Sequence, residues 1–316
     1  MPRSTIDLAH IRSLTWTVSS SYTASSIILY NLALGASGTA LPLVFEQHSD
    51  FHALPTFGTL PVLSAMGAVT KSMPDFLPGF QPHNHVHGEH YLQLRRPFPV
   101  PNAGEKVQLV TIARVLDVVE RSSGVTVCVG ITSRKQASGE EICYNEWTSF
   151  ILKVPGNGAS SYPSQSLAPA DTPQIPDRPP DRVLEHRTSP EQSALYRAAS
   201  GDLNPLHIDP EVAKRGGFAG PILTGTCTLG MGVKHVIDAF AGGDVARFAS
   251  VKVRLSKPVF PSDEVRTEMW KVDGGEEGGG VVYRQCVGER VVMRDGFVKF
   301  KRRGGGKSRG EWAARL

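Results

Sequence analysis

Three short motifs recur in the same order in both halves of the chain, and no other feature constrains the fold as strongly. Leu29-Tyr30 returns as Leu195-Tyr196, Leu60-Pro-Val-Leu63 as Gly220-Pro-Ile-Leu223, and Arg95-Arg-Pro-Phe-Pro99 as Ser256-Lys-Pro-Val-Phe-Pro261. The copies lie far further apart than solenoid units do, so two tandem copies of one fold are the natural reading. Residues 1–20 read as a polar, Ser/Thr-rich lead-in. Apolar periodicity predicts helices over 21–34 and 62–72, with a Pro/Gly-punctuated loop at 51–61 before the second. Strand signals follow at 91–94, 107–116, 125–134 and 144–152. The second half repeats the plan: a helix carrying Tyr196, a loop with Phe218-Ala-Gly-Pro221, a small-residue helix over 222–239, and strands near 248–256, 263–272, 281–288 and 290–301. Between the halves, 155–183 holds seven prolines among Ser and Asp, which predicts a linker running over the surface. A small-residue helix followed by consecutive strands buries itself best when an antiparallel sheet curls around it and two such sheets meet edge to edge. The expected class is α+β, with units at 1–154 and 184–301, the linker at 155–183 and a flexible basic tail at 302–316.

Chemistry concentrates in Tyr196-Arg-Ala-Ala-Ser-Gly-Asp-Leu-Asn-Pro-Leu-His-Ile-Asp-Pro210. Upstream, Ser189-Pro190-Glu191-Gln192 has the layout of a capping box, with Pro at the first helical position, and Gly201 ends that helix. Downstream, Asp209-Pro210 starts a short helix that Gly216-Gly217 stops. Between them, Pro205 and its restriction on Asn204 hold the loop extended, so that Asp202 and His207 can converge on one small volume. A carboxylate beside an imidazole is an acid/base set. Asp and Asn around a Pro also serve as turn formers and caps, so the residues alone leave both roles open.

With 316 residues, 40% hydrophobic, the chain is long enough for two cores. The net charge of +4 is small, and many basic residues sit in the tail from Lys299 to Arg315, so nucleic-acid binding is not indicated. Cys128, Cys143, Cys227 and Cys286 show no C-x-x-C and no paired framework, which fits a reducing compartment and implies neither disulfides nor zinc. No apolar run reaches membrane-spanning length, the N-terminus lacks a signal-peptide layout, and an intracellular protein without membrane partners is expected. Ala314-Arg315-Leu316 has the small-basic-Leu pattern of a relaxed peroxisomal address, which would be read by an import receptor; without it the expected place is the cytoplasm. The glycine run at 274–280 lacks a dinucleotide fingerprint and reads as a hairpin loop.

The second half resembles, over nearly its full length, the MaoC-like hot-dog proteins, and among them the peroxisomal type 2 enoyl-CoA hydratases. The resemblance rests on Tyr196 to Pro210 and on Gly217-Phe-Ala-Gly-Pro-Ile-Leu-Thr-Gly-Thr-Cys-Thr-Leu-Gly230. The first half is similar to the degenerate N-terminal hot dog of these hydratases through Tyr30-Asn-Leu-Ala-Leu-Gly35, Pro55-Thr-Phe57 and His87-Gly-Glu-His-Tyr-Leu92. The resemblance implies two tandem hot-dog folds with one active site. It implies that Asp202 and His207 hold and activate a water, with Asn204 ordering the same network, and that the Gly225 N–H polarises the thioester carbonyl. His87, Gly88, Arg121 and Leu255 match places that contact the CoA or acyl chain. The implied reaction is reversible hydration of a trans-2-enoyl-CoA to a (3R)-3-hydroxyacyl-CoA, with CoA as part of the substrate, no other cofactor and no metal. A homodimer is expected because paired sheets of this kind leave edges that favour association.

Two positions depart from the pattern. Thr224 stands where these hydratases usually have His, and His90 where they usually have Gln. The histidines at 83, 85, 87 and 90 alternate as metal ligands along a strand would, but no carboxylate or Cys pattern of known spacing accompanies them. Cys227 lacks an identifiable basic partner and reads as core. Tyr196 can either touch substrate or pack. Rival functions are a specialised dehydratase of a hydroxyacyl or polyketide-like thioester, a thioesterase, and a non-catalytic acyl-CoA-binding protein.

Overall fold

The structure is a computed structural model that describes residues 6–121, 123–154, 164–272 and 279–301. Its order is α1 (Leu8–Ser13), β1 (Trp16–Tyr22), α2 (Ala24–Ala33), α3 (Leu41–Val44), α4 (Leu60–Phe76), β2 (His85–Leu94), β3 (Val107–Arg121), β4 (Gly124–Lys135) and β5 (Glu141–Leu152). The second half follows with β6 (Arg182–Arg187), α5 (Gln192–Ser200), α6 (Pro210–Arg215), α7 (Gly225–Ala241), β7 (Phe248–Leu255), β8 (Glu264–Val272), β9 (Gly280–Val287) and β10 (Arg290–Phe300).

All ten strands join one antiparallel sheet in the order β1-β3-β4-β5-β2-β7-β10-β9-β8-β6. Read outward from the β2–β7 seam, both halves have the same strand order, so the duplication seen in the motifs is a duplication of topology. The seam registers as a pseudo-twofold should. Tyr91 stands opposite Lys252, Glu89 opposite Arg254 and Gln93 opposite Ser250. The shift that lays Arg95-Arg-Pro on Ser256-Lys-Pro maps the first of these pairs onto itself and exchanges the other two.

Each half wraps its sheet around a 17-residue helix, giving two hot dogs. Helix α4 buries Val62, Ala65, Met66, Val69, Met73 and Phe76 against Val115, Val127, Val129 and Ile131 of its own sheet. Helix α7 buries Cys227, Leu229, Met231, Val233, Val236 and Ile237 in a second core. That second core also takes in Ile27, Tyr30 and Leu34 of the first half, so the halves are not independent. The α2 end presses so closely on α7 that a Cβ at Gly230 would lie 2.7 Å from a Leu34 methyl, and Gln192 Nε2 donates to the Ala33 carbonyl at 2.5 Å.

Four local expectations need correction. The polar lead-in contains strand β1, whose alternating exposure pairs its Ser/Thr face with water while its backbone pairs with β3. Helix α2 begins at Ala24 rather than at 21, because Thr23 and Ser26 form a reciprocal capping box. At α5 only half of the expected box forms. Gln192 accepts the Ser189 N–H at 3.1 Å, but regular helix starts at Gln192 with Glu191 as its cap. The end of the expected linker is strand β6 from Arg182, a charged edge strand.

Residues 164–181 cross the outer face of the sheet without helix or strand. Glu146, 3% exposed on that face, accepts from the Tyr144 hydroxyl at 2.9 Å, the Ser166 hydroxyl and Leu167 N–H at 2.5 Å, and the Ala168 N–H at 3.0 Å. Across the seam, Lys252 Nζ donates to the Pro169 carbonyl at 2.6 Å and pairs with Glu89 at 3.4 Å. One carboxylate thus latches the crossing segment. Glu146→Ala is expected to lower unfolding free energy by about 1–2 kcal/mol, since the linker N–H groups can turn to water whereas the buried site is left unfilled. Urea unfolding with unchanged m-value, and faster proteolysis within 164–181, would show it; an unaltered midpoint would refute the latch.

Candidate active site

Helix α5 ends at Gly201, whose φ of 68° is the left-handed cap that glycine adopts without strain. The chain then runs through Asp202 into a 3-10 turn at Pro205–His207, and Asp209 caps α6 by accepting from the N–H groups of Glu211 and Val212. The loop is tied from inside, because Arg197 of α5 donates to the carbonyls of Asp202 at 2.7 Å and Asn204 at 3.3 Å.

This geometry brings Asp202 and His207 together. Their side chains are 13% and 11% exposed, and His207 Nε2 lies 3.7 Å from Asp202 Oδ2. That is too long for a direct hydrogen bond. His207 Nδ1 donates to the Ile222 carbonyl at 2.8 Å, which fixes the tautomer and leaves Nε2 as the basic nitrogen, facing the carboxylate. Asp202 Oδ1 accepts the Asn204 N–H at 3.0 Å and Oδ2 accepts the Thr224 hydroxyl at 3.2 Å. Asn204 serves the pair through its backbone; its side-chain oxygen caps Leu206 N–H at 3.1 Å.

Thr224 carries the link onward, since it is the residue before Gly225, the first of α7. A Cβ at Gly225 would lie 2.1 Å from Leu255 Cδ2 and 3.8 Å from His87 Nδ1. Gly225, Leu255 and His87 therefore line one spot beside the acid/base pair, at a helix N-terminus whose dipole favours negative charge. His87 lies flat on Trp147, with centroids 3.4 Å apart and planes 9° apart. Gly88 occupies a bulge between β2 and β5, where a side chain would strike the Phe150 ring at 2.3 Å. Arg121 is elsewhere. His87 pairs with Ser149, Ser149 with Val127 and Val127 with Val118, which puts the Arg121 strand about 14 Å from His87 across the sheet. Tyr196, 1% exposed, packs against Tyr30 and donates to Thr226 Oγ1 at 2.9 Å, so it is a support and not a wall of the site. Cys227 is fully buried and burial pushes its thiol pKa up, in line with core.

The sequence reading missed Arg197, the Ile222 carbonyl and the Thr224 hydroxyl as parts of the site. A basic residue in the last turn of α5 was a legible signal for Arg197, because such residues commonly hold the carbonyls that follow a helix.

The histidines of β2 take separate roles. His85 Nε2 meets Ser149 Oγ at 2.6 Å and His90 Nε2 meets Asn145 Oδ1 at 3.0 Å. Burial lowers the pKa of His85 and of His90 to about 4, the Asn145 bond opposing part of the shift at His90, and it takes His87 well below the usual imidazole value. Burial, with Lys234 and His186 nearby, also lowers His235 to about 4. The native forms stay neutral while the unfolded chain takes up protons near pH 6.5. Stability present above pH 6.5 is therefore lost as pH falls toward 4, by up to about 3 kcal/mol for each of His90 and His235. Urea midpoints measured from pH 7 to pH 4 should fall accordingly. His90→Gln, which keeps a donor for Asn145, should flatten the slope; an unchanged slope would contradict the assignment.

Comparison with known proteins places this geometry. The MFE-2 hydratase 2 N-terminal domain family matches residues 20–153 and the MaoC-like domain family matches residues 171–289. Enoyl-CoA hydratase 2, peroxisomal, of Arabidopsis thaliana is 34% identical, over 89% of this chain and 90% of its own length. Peroxisomal multifunctional enzyme type 2 of Mus musculus is 40% identical over 89% of this chain. This chain spans only 36% of that mouse protein, and 28% of the peroxisomal hydratase-dehydrogenase-epimerase of Neurospora crassa. Among solved structures, a MaoC-like dehydratase from Phytophthora capsici superposes with a TM-score of 0.79 at 28% identity, covering 95% of this chain and 100% of that one. The chain belongs to the MaoC-like double hot-dog family of the enoyl-CoA hydratase 2 kind, its first half the hydratase 2 N-terminal domain and its second half the MaoC-like domain.

Proposed function

We propose that the chain is a hydro-lyase that reversibly adds water to a trans-2-enoyl-CoA to give a (3R)-3-hydroxyacyl-CoA. The observation that carries this is the near-buried Asp202–His207 pair, with the His207 basic nitrogen free, beside the Gly225 N–H. The enoyl-CoA class comes from the names of the hydratase 2 relatives.

In the forward direction a water between Asp202 and His207 Nε2 loses a proton to this pair as its oxygen bonds C3. Electrons move from the C2–C3 double bond to the thioester oxygen, where the Gly225 N–H meets the developing charge. The proton then returns to C2, the enolate collapses and the pair is regenerated, so atoms and charge balance without a further reactant. Water and proton arrive from one side, which gives syn addition. His87, Leu255 and the Gly88 bulge flank the path of the acyl thioester. Dehydration is the same path reversed, and a relative named 3-hydroxyacyl-thioester dehydratase Y, of Mycobacterium tuberculosis, is 30% identical over 93% of its length.

Peroxisomal placement is part of this proposal and rests on the names of the relatives; Ala314-Arg315-Leu316 lies outside the described residues, and no helix among those described is long and apolar enough to cross a membrane. Homodimerisation through the open edges of β1 and β6 belongs to the same reading. The test is loss of the enoyl-thioester absorbance with crotonyl-CoA and longer 2-enoyl-CoAs, followed by chiral analysis. Turnover to the 3R product is expected; no turnover by folded protein at any chain length would defeat the proposal.

A further inference from the structure

We infer that Thr224 is a positioning residue that fixes the Asp202 carboxylate through its hydroxyl. The inference rests on the reading of Asp202 and His207 as the water-activating pair.

Thr224 is the N-cap of α7, a position where a threonine hydroxyl ordinarily accepts a backbone N–H of the first turn. Here its side chain makes no cap hydrogen bond. The hydroxyl points away from the helix and donates to Asp202 Oδ2 at 3.2 Å. Thr224 is 8% exposed, so water does not readily replace it. The oxygen it holds is the one 3.7 Å from His207 Nε2. With Oδ1 held by the Asn204 N–H at 3.0 Å, the two bonds set the tilt of the carboxylate and hence where the remaining lone pair of Oδ2 points. The same choice leaves the Gly225 N–H without a side-chain acceptor, where a substrate oxygen can use it, while the Cys227 N–H of the same turn is taken by the Thr224 carbonyl at 2.9 Å. One rotamer of Thr224 thus orients the acid/base pair and keeps the helix terminus open.

The experiment compares the full chain with Thr224→Val, which keeps shape and deletes the hydroxyl, and with Thr224→Ser, which restores it. With crotonyl-CoA, Thr224→Val is expected to lose about 10- to 100-fold in kcat, the range for a hydrogen bond to a charged group, with KM within about 2-fold. Thr224→Ser should recover most of kcat. A Val variant with wild-type kcat, Val and Ser variants equally impaired, or a loss confined to KM would each overturn the inference. Crystal structures of the wild-type chain and Thr224→Val give a readout independent of turnover. The Asp202 carboxylate should be rotated in the variant, and an identical carboxylate in both overturns the inference. If the wild-type chain hydrates no enoyl thioester, the proposed function fails, while the orientation of Asp202 is still decided by the two structures.

Discussion

Asp202→Asn is expected to lower kcat for 2-enoyl-CoA hydration by about 10³-fold while leaving the fold intact, within the range for loss of a positioned acid/base group. The substitution preserves shape. An amide oxygen at the Oδ1 place still accepts the Asn204 N–H, and Arg197 still holds the loop through backbone carbonyls. The change falls on the other atom. An NH2 at the Oδ2 place turns an acceptor facing His207 Nε2 into a donor, and the Thr224 hydroxyl can reverse to accept from it. The basic nitrogen of His207 then faces a donor, and the water loses both its acceptor and its base. His207→Gln should be similarly damaging, with its amide NH2 still able to reach the Ile222 carbonyl. Because the two residues are proposed to act on one water, the double variant should be little worse than either single one. Stopped-flow loss of the enoyl band, with thermal unfolding as a control, measures this. A folded Asp202→Asn within tenfold of wild type would remove Asp202 from the mechanism.

How much of this was legible follows from where each signal originates. The motif repeats gave the two halves because they mark a buried helix tyrosine, the approach to the central helix and a turn that both copies need, and the strand alternation of Val107–Arg121 or Gly124–Lys135 is written in buried valines. Edge strands β1 and β6 were not legible, since Trp16–Tyr22 is Ser/Thr-rich and Arg182–Arg187 charged; their partners supply the backbone pairing that their side chains do not announce. At the site, Asp202 and His207 were visible because one short loop carries both. The Thr224 hydroxyl was not, because its partner lies 22 residues earlier and meets it only when α7 docks against the loop. Arg121 came from family position alone, and the sheet register sets it well away from the spot that Gly225, Leu255 and His87 share.

Gly225→Ala is expected to reduce kcat by about 10²-fold with little loss of stability, and the reason is what the new methyl would meet. The nearest atom, at 2.1 Å, is a terminal methyl of Leu255, the far end of a side chain that can turn. The fold can absorb the clash; the site cannot. Leu255 and the first turn of α7 must move apart, which displaces both the wall proposed for the acyl path and the donor proposed for the thioester oxygen. Loss of such a donor is worth roughly 10²- to 10³-fold in kcat. The two contributions separate in a double variant. If the damage is mainly the push on Leu255, Gly225→Ala/Leu255→Ala should regain most of kcat at a raised KM, because the helix start returns to its place while the acyl wall is lost. If the methyl itself blocks the thioester oxygen, the double variant should stay as slow as the single one. Full activity in Gly225→Ala alone would mean that no reacting oxygen sits against this N–H, and the electrophilic role would have to move to another donor of the α7 N-terminus or to His87 Nδ1, which lies 3.8 Å from where the methyl would be.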